Sequence, residues 1–272
     1  MVSIQIGAAL AQHLFPAVGA QGTTALRVGL AALILLAIRR PSLKGVGGKD
    51  LAALGLYGAS LGIMNLCFYL ALRTIPLGVA VAVEFVGPLV VAAASHRSRL
   101  DVLWLVLAAG GLALLAPFGA QTLDPVGLML ALAAGVFWGL YILFGQAAAR
   151  IGEGAASAFG MAAAAVIVIP FGVASAGTRL FDPALLPLAL AVALLSSALP
   201  YSLEMFALPR LPRSTFGTLM SLEPAIGALS GFLLLGQHLS LRQGVAIVAI
   251  IAASAGTALS LIAAKAKVPP LV

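Results

Sequence analysis

The chain has 272 residues, of which 62% are hydrophobic and only 8% carry a formal charge. Soluble domains are about 45–50% apolar and about 25% charged, so this composition excludes a globular fold whose surface is solvated by charged side chains. The net charge is +7, but the basic residues lie between apolar runs and form no continuous patch, which argues against a nucleic-acid partner. We therefore predict an all-α membrane protein with the lipid bilayer as its main solvent.

Ten apolar segments follow one another along the chain, each near the ~20 residues that a helix needs to cross the hydrocarbon core. The first segment is the weakest, because Gln5, Gln12, His13 and Pro16 interrupt it, and we expect this span to begin upstream of Met1. The connections are short, so no soluble domain is expected. The predicted spans are 2–18, 20–38, 51–72, 77–95, 101–119, 126–149, 154–176, 184–207, 213–235 and 242–264.

Lys and Arg residues divide unevenly between the two predicted sides of the membrane. If the N-terminus is cytoplasmic, the inner loops and the C-terminal tail hold eleven of the 15 basic residues. The outer loops then hold three, Arg73, Arg179 and Arg242, and Arg27 lies inside the second span. Cytoplasmic loops of membrane proteins carry an excess of Lys and Arg. We therefore predict that both termini are cytoplasmic, which agrees with an even number of spans.

The two halves of the chain share a spacing of prolines. Pro76 and Pro88 recur as Pro212 and Pro224, each 136 residues later, which is half of the chain length. We predict two related halves of five spans each. Because five is an odd number, the second half enters the membrane inverted relative to the first, as in carriers that alternate access to a midplane site and also in some channels. The predicted halves are residues 1–119 and 126–264.

Pro88 and Pro224 lie inside the fourth and ninth predicted spans, and each frees a backbone carbonyl one turn earlier. Breaks at membrane depth are tolerated where they are buried in protein or line a cavity. We expect helix breaks at both prolines, which either shape a site or are simple packing kinks.

Three carboxylates, Glu84, Glu204 and Glu223, lie inside predicted spans. A charged group at the bilayer centre costs at least ~2.5–3.5 kcal/mol, and such groups usually face the bundle interior or a wet cavity. We predict that they contact a substrate ammonium or carry protons, and the alternative is a structural pairing with Arg27 or with free backbone groups. Arg27 either clamps a substrate carboxylate through its planar fork or braces the bundle through an ion pair.

Polar and aromatic side chains share helix faces at three places, because residues three or four apart lie on one face. Such pairs are candidate cavity walls, whereas aromatic residues near span ends are more often interfacial anchors. The pairs are Asn65 with Tyr69, Tyr201 with Glu204, and Trp138 with Tyr141. A separate pair, Gly58 and Gly62, has the small-residue spacing that lets helices approach closely.

Motifs for ATP or metal chemistry are missing. The GVGGKD run at 45–50 lacks the first glycine and the final Ser/Thr of a phosphate loop, and no histidine belongs to an HExxH helix. The single cysteine, Cys67, excludes an intrachain disulfide and a multi-cysteine metal site. We expect no cofactor and no enzymatic activity, and energy should come from an ion gradient or from the substrate itself.

Three stretches carry a resemblance to a known family: SIQIGAALAQHLFPAVGAQGTTALR (3–27), YGASLGIMNLCFYLALRTIPLGVAVAVEFVGPL (57–89) and ALPYSLEMFALPRLPRSTFGTLMSLEPA (198–225). They resemble the EamA family of the drug/metabolite transporter superfamily, whose members carry ten spans in two EamA repeats. The likeness covers nearly the whole chain, although Gln237 stands where family members commonly carry Glu. The positions that match the family motifs include Arg27, Asn65, Glu84, Pro88, Tyr201, Glu204, Glu223 and Pro224.

The resemblance implies a multi-pass protein of the bacterial inner membrane that exports small amino acids such as threonine and homoserine, driven by the proton motive force. Its partners are then the amino-acid substrate, protons and the lipid bilayer, with the protein a monomer or homodimer. Three alternatives stay open at this point. They are an exporter of aromatic amino acids, drugs or other metabolites, a passive channel, and a membrane scaffold that transports nothing.

Overall fold

The structure is a computed structural model that describes residues 2–75, 77–94, 99–115, 124–220, 222–226 and 241–266. Every regular element in these ranges is helical. The predicted features at Pro76 and Gln237 and the C-terminal parts of the fifth and ninth spans lie outside the described residues. The helices are α1 (Val2–Gln12), α2 (Phe15–Arg39), α3 (Gly48–Ala71), α4 (Leu77–Glu84), α5 (Val86–Ala94), α6 (Arg99–Leu115), α7 (Pro125–Ala148), α8 (Glu153–Ala176), α9 (Leu186–Ala193), α10 (Leu199–Ala207), α11 (Arg213–Met220) and α12 (Leu241–Ala266).

Five stretches of the described chain are helical, long and apolar enough to cross a bilayer. Their outward faces carry aliphatic side chains, such as Leu33 and Val166, which are 65% and 74% exposed. A surface helix of a soluble protein is polar on that face. The prediction of an all-α membrane protein is therefore confirmed, while the number of ten spans stays a prediction. The stretches are Phe15–Arg39, Gly48–Ala71, Pro125–Ile151, Glu153–Phe181 and Pro183–Ala207.

The start of the chain differs from the predicted span at 2–18. The first helix ends at Gln12, and α2 already begins at Phe15 with Pro16 in its first turn. Proline favours a helix start, because its fixed φ suits the first turn and no N–H needs a partner there. The boundary predicted at residue 19 is instead a kink inside α2, where Gly19 adopts φ 68°, a conformation that other residues rarely adopt.

The eighth predicted span, 184–207, changes its winding partway. Between α9 and α10 the backbone forms one π-helical turn, Leu194–Ala198. Pro200 follows in the first turn of α10, and because it has no N–H, the Ser196 carbonyl four residues earlier lacks its usual helical partner. Such π turns are frequent at functional sites.

The fourth predicted span is interrupted at Phe85, between α4 and α5. Pro88 removes the N–H that would bond the carbonyl of Glu84. That carbonyl oxygen faces α7 so closely that a Cβ on Gly135 would lie 2.5 Å from it, and a Cβ on Gly87 would lie still closer to the Gly135 carbonyl oxygen. Glycine on both helices, α5 and α7, is what allows the two backbones to touch at this crossing.

The helices from the two predicted halves pack into one another. Helix α2 packs along α8, α3 packs against α7 and α8, α5 against α11, and α6 against α12. The π turn and α9 contact both α1 and α2. Gly58 and Gly62 lie directly against the α8 backbone at Gly160 and Ala164, so the close helix packing predicted for this pair is confirmed.

Replacing Gly135 by Ala should destabilise the protein by about 1–3 kcal/mol, the usual cost of overpacking a tight contact. The physical reason is that its Cβ would collide with the Glu84 carbonyl oxygen. Gly55→Ala is the matched control, because Gly55 is exposed in α3 and its Cβ would meet no atom within 4 Å. The measurement is thermal unfolding of the purified variants in one detergent. Equal melting temperatures for the two variants would contradict the close crossing.

Candidate functional site

A cavity of about 70 Å3 lies where helices of the two predicted halves meet. Every side chain predicted from the sequence to bind substrate or couple protons lines it: Arg27, Asn65, Tyr69, Glu84, Tyr201, Glu204 and Glu223. These residues come from α2, α3, α4, α10 and the helical turn at 222–226. The structure thus brings together groups that lie almost 200 positions apart in the chain.

Arg27 is held in the cavity wall by contacts from both predicted halves. Its Nη2 donates to Oδ1 of Asn65, and its Nη1 donates to the Ser196 carbonyl at 3.2 Å. The Cζ lies 4.8 Å from the centre of the Tyr69 ring, within cation–π range. Among the described residues no carboxylate pairs with Arg27, so the structural ion pair considered from the sequence is not formed there.

Asn65 and Tyr201 join the two halves directly. The Asn65 Nδ2 donates to the Leu61 carbonyl at 2.7 Å and to the Tyr201 hydroxyl at 3.3 Å. The hydroxyl in turn lies 3.3 Å from Oδ1 of Asn65, to which it can donate. Because Asn65 also accepts from Arg27, its amide is fixed from three sides, and the guanidinium is fixed through it.

Two buried polar atoms at this site have no hydrogen-bond partner within the described part of the chain: Nε of Arg27 and the hydroxyl of Tyr69. Both residues line the cavity and are at most 4% exposed. A buried polar group without a partner costs about 1–3 kcal/mol. These two groups are therefore suited to receive an acceptor from a ligand.

The three carboxylates that line the cavity differ in their surroundings. Glu84 and Glu223 are each 7% exposed. Glu204 lies toward the predicted cytoplasmic end of its span, yet it lines the same cavity. It accepts a hydrogen bond from the Tyr141 hydroxyl at 2.8 Å. The arrangement places carboxyl side chains from α4, α10 and the turn at 222–226 around one small volume.

Trp138 and Tyr141, a pair for which a cavity wall and interfacial anchors were both considered, lie inside the bundle, and Trp138 lines the cavity. Both are buried. The Trp138 ring packs edge-on against Phe85 with centroids 5.4 Å apart, and Tyr141 packs against Tyr201 at 5.9 Å. Their position follows from α7 crossing the middle of the bundle, where aromatic rings meet core neighbours instead of the lipid headgroups.

Sequence reasoning missed Gln5 as a cavity residue. It was considered only as an interruption of the first span, yet it is buried and lines the cavity beside Arg27. The signal was the same as for Asn65, a polar side chain inside an apolar segment. The apolar lining residues Met64 and Phe68 gave no such signal, because their types are ordinary in any membrane span.

The two prolines predicted to break helices are buried next to cavity residues. Pro88 lies four residues after Glu84, across the interruption at Phe85. Pro224 directly follows Glu223 in the helical turn at 222–226. A broken helix frees backbone groups at membrane depth, and these are tolerated only inside the protein or at a cavity.

The segment after α3 and the segment after α10 are hydrogen-bonded to residues at opposite ends of α7. At its N-terminus, Asp124 accepts from the Gly127 amide at 3.1 Å. A hydrogen bond from the Thr74 hydroxyl, followed by that amide, lowers the pKa of Asp124. Near the other end, Gln146 Nε2 donates to the Leu208 carbonyl at 3.2 Å. The segment after α3 and the segment after α10 thus lie at different ends of one helix.

Comparison with known proteins gives the chain its relatives. The EamA-like transporter family matches residues 125–259. The chain is 51% identical over 263 residues to the threonine/homoserine exporter RhtA of Salmonella typhimurium LT2, covering 96% of this chain and 89% of the relative. It is 51% identical over 262 residues to RhtA of Escherichia coli K12, with the same shares covered. An uncharacterized Pseudomonas aeruginosa protein is 32% identical over 245 residues, 86% of this chain and 83% of that protein.

A solved structure, described as the crystal structure of a protein, matches 95% of this chain and 95% of its own with a TM-score of 0.72 at 19% identity. That likeness shows a shared fold. The apolar helices and the sequence relatives together make this a multi-pass membrane protein. With half of its residues identical to those of two curated transporters over nearly its whole length, the chain belongs to the EamA-like transporter family.

Proposed function

We propose that the protein exports small zwitterionic amino acids such as threonine and homoserine across the bacterial inner membrane, with the cavity as its substrate site. The observation that carries this proposal is the pairing of opposite charges around one small volume. A buried cation, Arg27, and two buried carboxylates, Glu84 and Glu223, line the same cavity. They match the two charges of an amino acid, and the exporters to which the chain is 51% identical support this substrate class.

The carboxylate of the substrate binds at Arg27. Its guanidinium has no carboxylate partner among the described residues, while its Nε and the nearby Tyr69 hydroxyl lack acceptors. Arginine and hydroxyl donors suit an anionic ligand with two oxygens, because charge-assisted hydrogen bonds are the strong ones. Binding would therefore satisfy two polar groups that are otherwise buried at a cost.

The ammonium of the substrate binds near Glu84 or Glu223, which come from α4 and the turn at 222–226. Rings of Trp138 and Tyr201 also line the cavity, and aromatic faces attract cations. The small substrates are preferred among the family's possible cargoes because the exporters to which the chain is 51% identical are named for threonine and homoserine.

The two halves, 1–119 and 126–264, are proposed as inverted repeats. The family match at 125–259 nearly coincides with the second half. Helix α2 packs on α8, its counterpart 136 residues later, and Asn65 bonds Tyr201, again 136 residues apart. The segments after α3 and α10, which are counterparts as well, are tied to opposite ends of α7. Each of these contacts is expected if an in-plane pseudo-two-fold axis passes through the cavity.

Transport is proposed to proceed by rocking of the two halves around the cavity, which opens it alternately to each side. Proton binding at Glu84 or Glu223 would reset the empty carrier and connect export to the proton motive force. A buried carboxylate suits this role, because proton uptake removes the cost of burying its charge. Both termini are proposed to be cytoplasmic, from the excess of basic residues in the inner loops.

Glu84→Gln and Glu223→Gln should each reduce threonine export by roughly tenfold or more, the scale of losing a hydrogen bond to a charged group. Each variant should also lose its dependence on the pH gradient, since an amide carries neither the charge nor the proton. The assay is efflux of labelled threonine from inside-loaded proteoliposomes with and without a collapsed gradient. Glu153→Gln is the control, because Glu153 pairs with Arg210 at the surface. Wild-type export and coupling in both variants would refute the carboxylate mechanism.

Arg27→Lys should weaken threonine binding roughly tenfold, because a lysine ammonium cannot keep the three-sided contact of the planar guanidinium. It should bind threoninol, in which a CH2OH group replaces the carboxylate, as the wild type does. Competition of both compounds against labelled threonine measures the two affinities. Arg39→Lys, at the exposed end of α2, serves as the control. An unchanged threonine-to-threoninol ratio in Arg27→Lys would remove Arg27 from the carboxylate site.

Cysteine labelling tests the orientation with little disturbance, since Cys67 is the single cysteine of the chain. In a Cys67→Ser background, Thr178→Cys should react with a membrane-impermeant maleimide in intact cells, and Ser42→Cys should react only after permeabilisation. Both positions are exposed, Ser42 between α2 and α3 and Thr178 between α8 and α9. The reverse pattern would invert the proposed topology, and labelling of both sites in intact cells would contradict the placement of the spans between them.

A further inference from the structure

The Ser196 carbonyl accepts a hydrogen bond from outside its own helix. Pro200, four residues later, has no N–H to donate to it in the α-helical register, and at the π turn, Leu194–Ala198, the ladder shifts to the fifth residue, as in the bond from the Leu199 N–H to the Leu194 carbonyl. The Ser196 hydroxyl donates to the Val192 carbonyl at 2.6 Å, so the side chain does not compete for this oxygen. A free carbonyl at this depth, in a fully buried residue, needs a donor from elsewhere in the protein.

That donor is Arg27 of α2, whose Nη1 lies 3.2 Å from the Ser196 oxygen. The second terminal nitrogen is taken by Asn65, and the face of the guanidinium rests on Tyr69. Each terminal nitrogen thus uses one of its two N–H groups, and Nε is the one guanidinium nitrogen that has no partner among the described residues. The acceptor on the π turn fixes one end of the guanidinium and so helps to set the direction in which the Nε N–H points.

We propose that Pro200 and the π turn before it form a positioning device for Arg27: the carbonyl that Pro200 frees orients the guanidinium so that its Nε edge receives the substrate carboxylate. This inference rests on the proposed function, in which Arg27 binds that carboxylate. Pro200 is not one of the described residues that line the cavity, so it acts only through Ser196 and Arg27. It is a positioning residue, and its substitution should change carboxylate recognition more than transport as such.

The first helix supports the same contact from the other side. Gly7 of α1 lies directly on the π turn, where a Cβ would come 2.6 Å from the Ser196 Cβ and 2.8 Å from its backbone nitrogen. Any side chain at Gly7 must therefore push the Ser196 backbone or α1 away. Two substitutions on different helices, Pro200→Ala and Gly7→Ala, thus disturb one hydrogen bond by different means. In Pro200→Ala the new N–H competes with Arg27 for the Ser196 carbonyl once the turn adopts the α-helical register, and in Gly7→Ala the carbonyl is displaced.

The test compares recognition of threonine with that of threoninol, using competition against labelled threonine transport by the full-length protein in proteoliposomes. Pro200→Ala should raise the inhibition constant of threonine by roughly threefold to tenfold, part of the effect of a hydrogen bond to a charged group. That of threoninol should stay unchanged, so the threonine-to-threoninol ratio of affinities falls. A merely structural defect would weaken both compounds alike. Pro187→Ala, at the exposed start of α9 in the same span, is the control and should keep the wild-type ratio.

Gly7→Ala should also lower the threonine-to-threoninol ratio of affinities. If Pro200→Ala does not fold, the result for Gly7→Ala tests the inference by itself. The inference is overturned if the folded variants keep the wild-type ratio while Arg27→Lys lowers it, because Arg27 would then recognise the carboxylate without help from the π turn. If Arg27→Lys also keeps the wild-type ratio, the proposed carboxylate site itself fails, and the inference fails with it. The two failures are therefore distinguishable in one set of measurements.

Discussion

The burial of one guanidinium in the middle of the helix bundle is the constraint on which the site depends. A charged side chain at membrane depth is expensive unless polar groups of the protein receive it. Arg27 satisfies this requirement with an amide oxygen from Asn65, a backbone carbonyl from Ser196 and the ring face of Tyr69. Because these acceptors come from α2's neighbours in both halves of the chain, the contacts that stabilise the cation also hold the cavity walls together. They leave the Nε of Arg27, a residue that lines the cavity, without a partner among the described residues.

Proline at membrane depth serves two different purposes in this protein. Each interior proline frees a carbonyl one turn earlier, and the two examples differ in what receives it. The carbonyl released by Pro88 belongs to Glu84 and lies against the glycine backbone of α7, so the break becomes a close helix crossing. The carbonyl released by Pro200 belongs to Ser196 and accepts from Arg27, so that break becomes part of a binding site. The same local chemistry thus gives packing in one span and polar recognition in another.

Most of the candidate site could be predicted from the sequence, because a polar side chain in an apolar segment is stable mainly in the interior of the bundle or at a cavity. That argument selected Arg27, Asn65 and Glu84, and all of them line one cavity. It could not place Trp138 and Tyr141, since an aromatic ring is stable both at the membrane interface and in the core. Only the path of α7 through the centre of the bundle selects the second position. The end of the first helix was also misplaced, because the pattern of apolar residues continues past the point where Pro16 starts a new helix.

The sequence by itself determined the membrane environment, the order of the apolar segments, the polar candidates and the family resemblance, because each of these follows from composition and local spacing. The tertiary structure decided which acceptor each buried donor meets. The contacts of Arg27 with Ser196 and of Asn65 with Tyr201 join residues 169 and 136 positions apart, and no local pattern encodes such a pairing. The π turn belongs to the same class, since its free carbonyl has a use only when a second helix brings a cation to it. A buried polar group is thus recognisable in the sequence, whereas its partner is settled only by the folded chain.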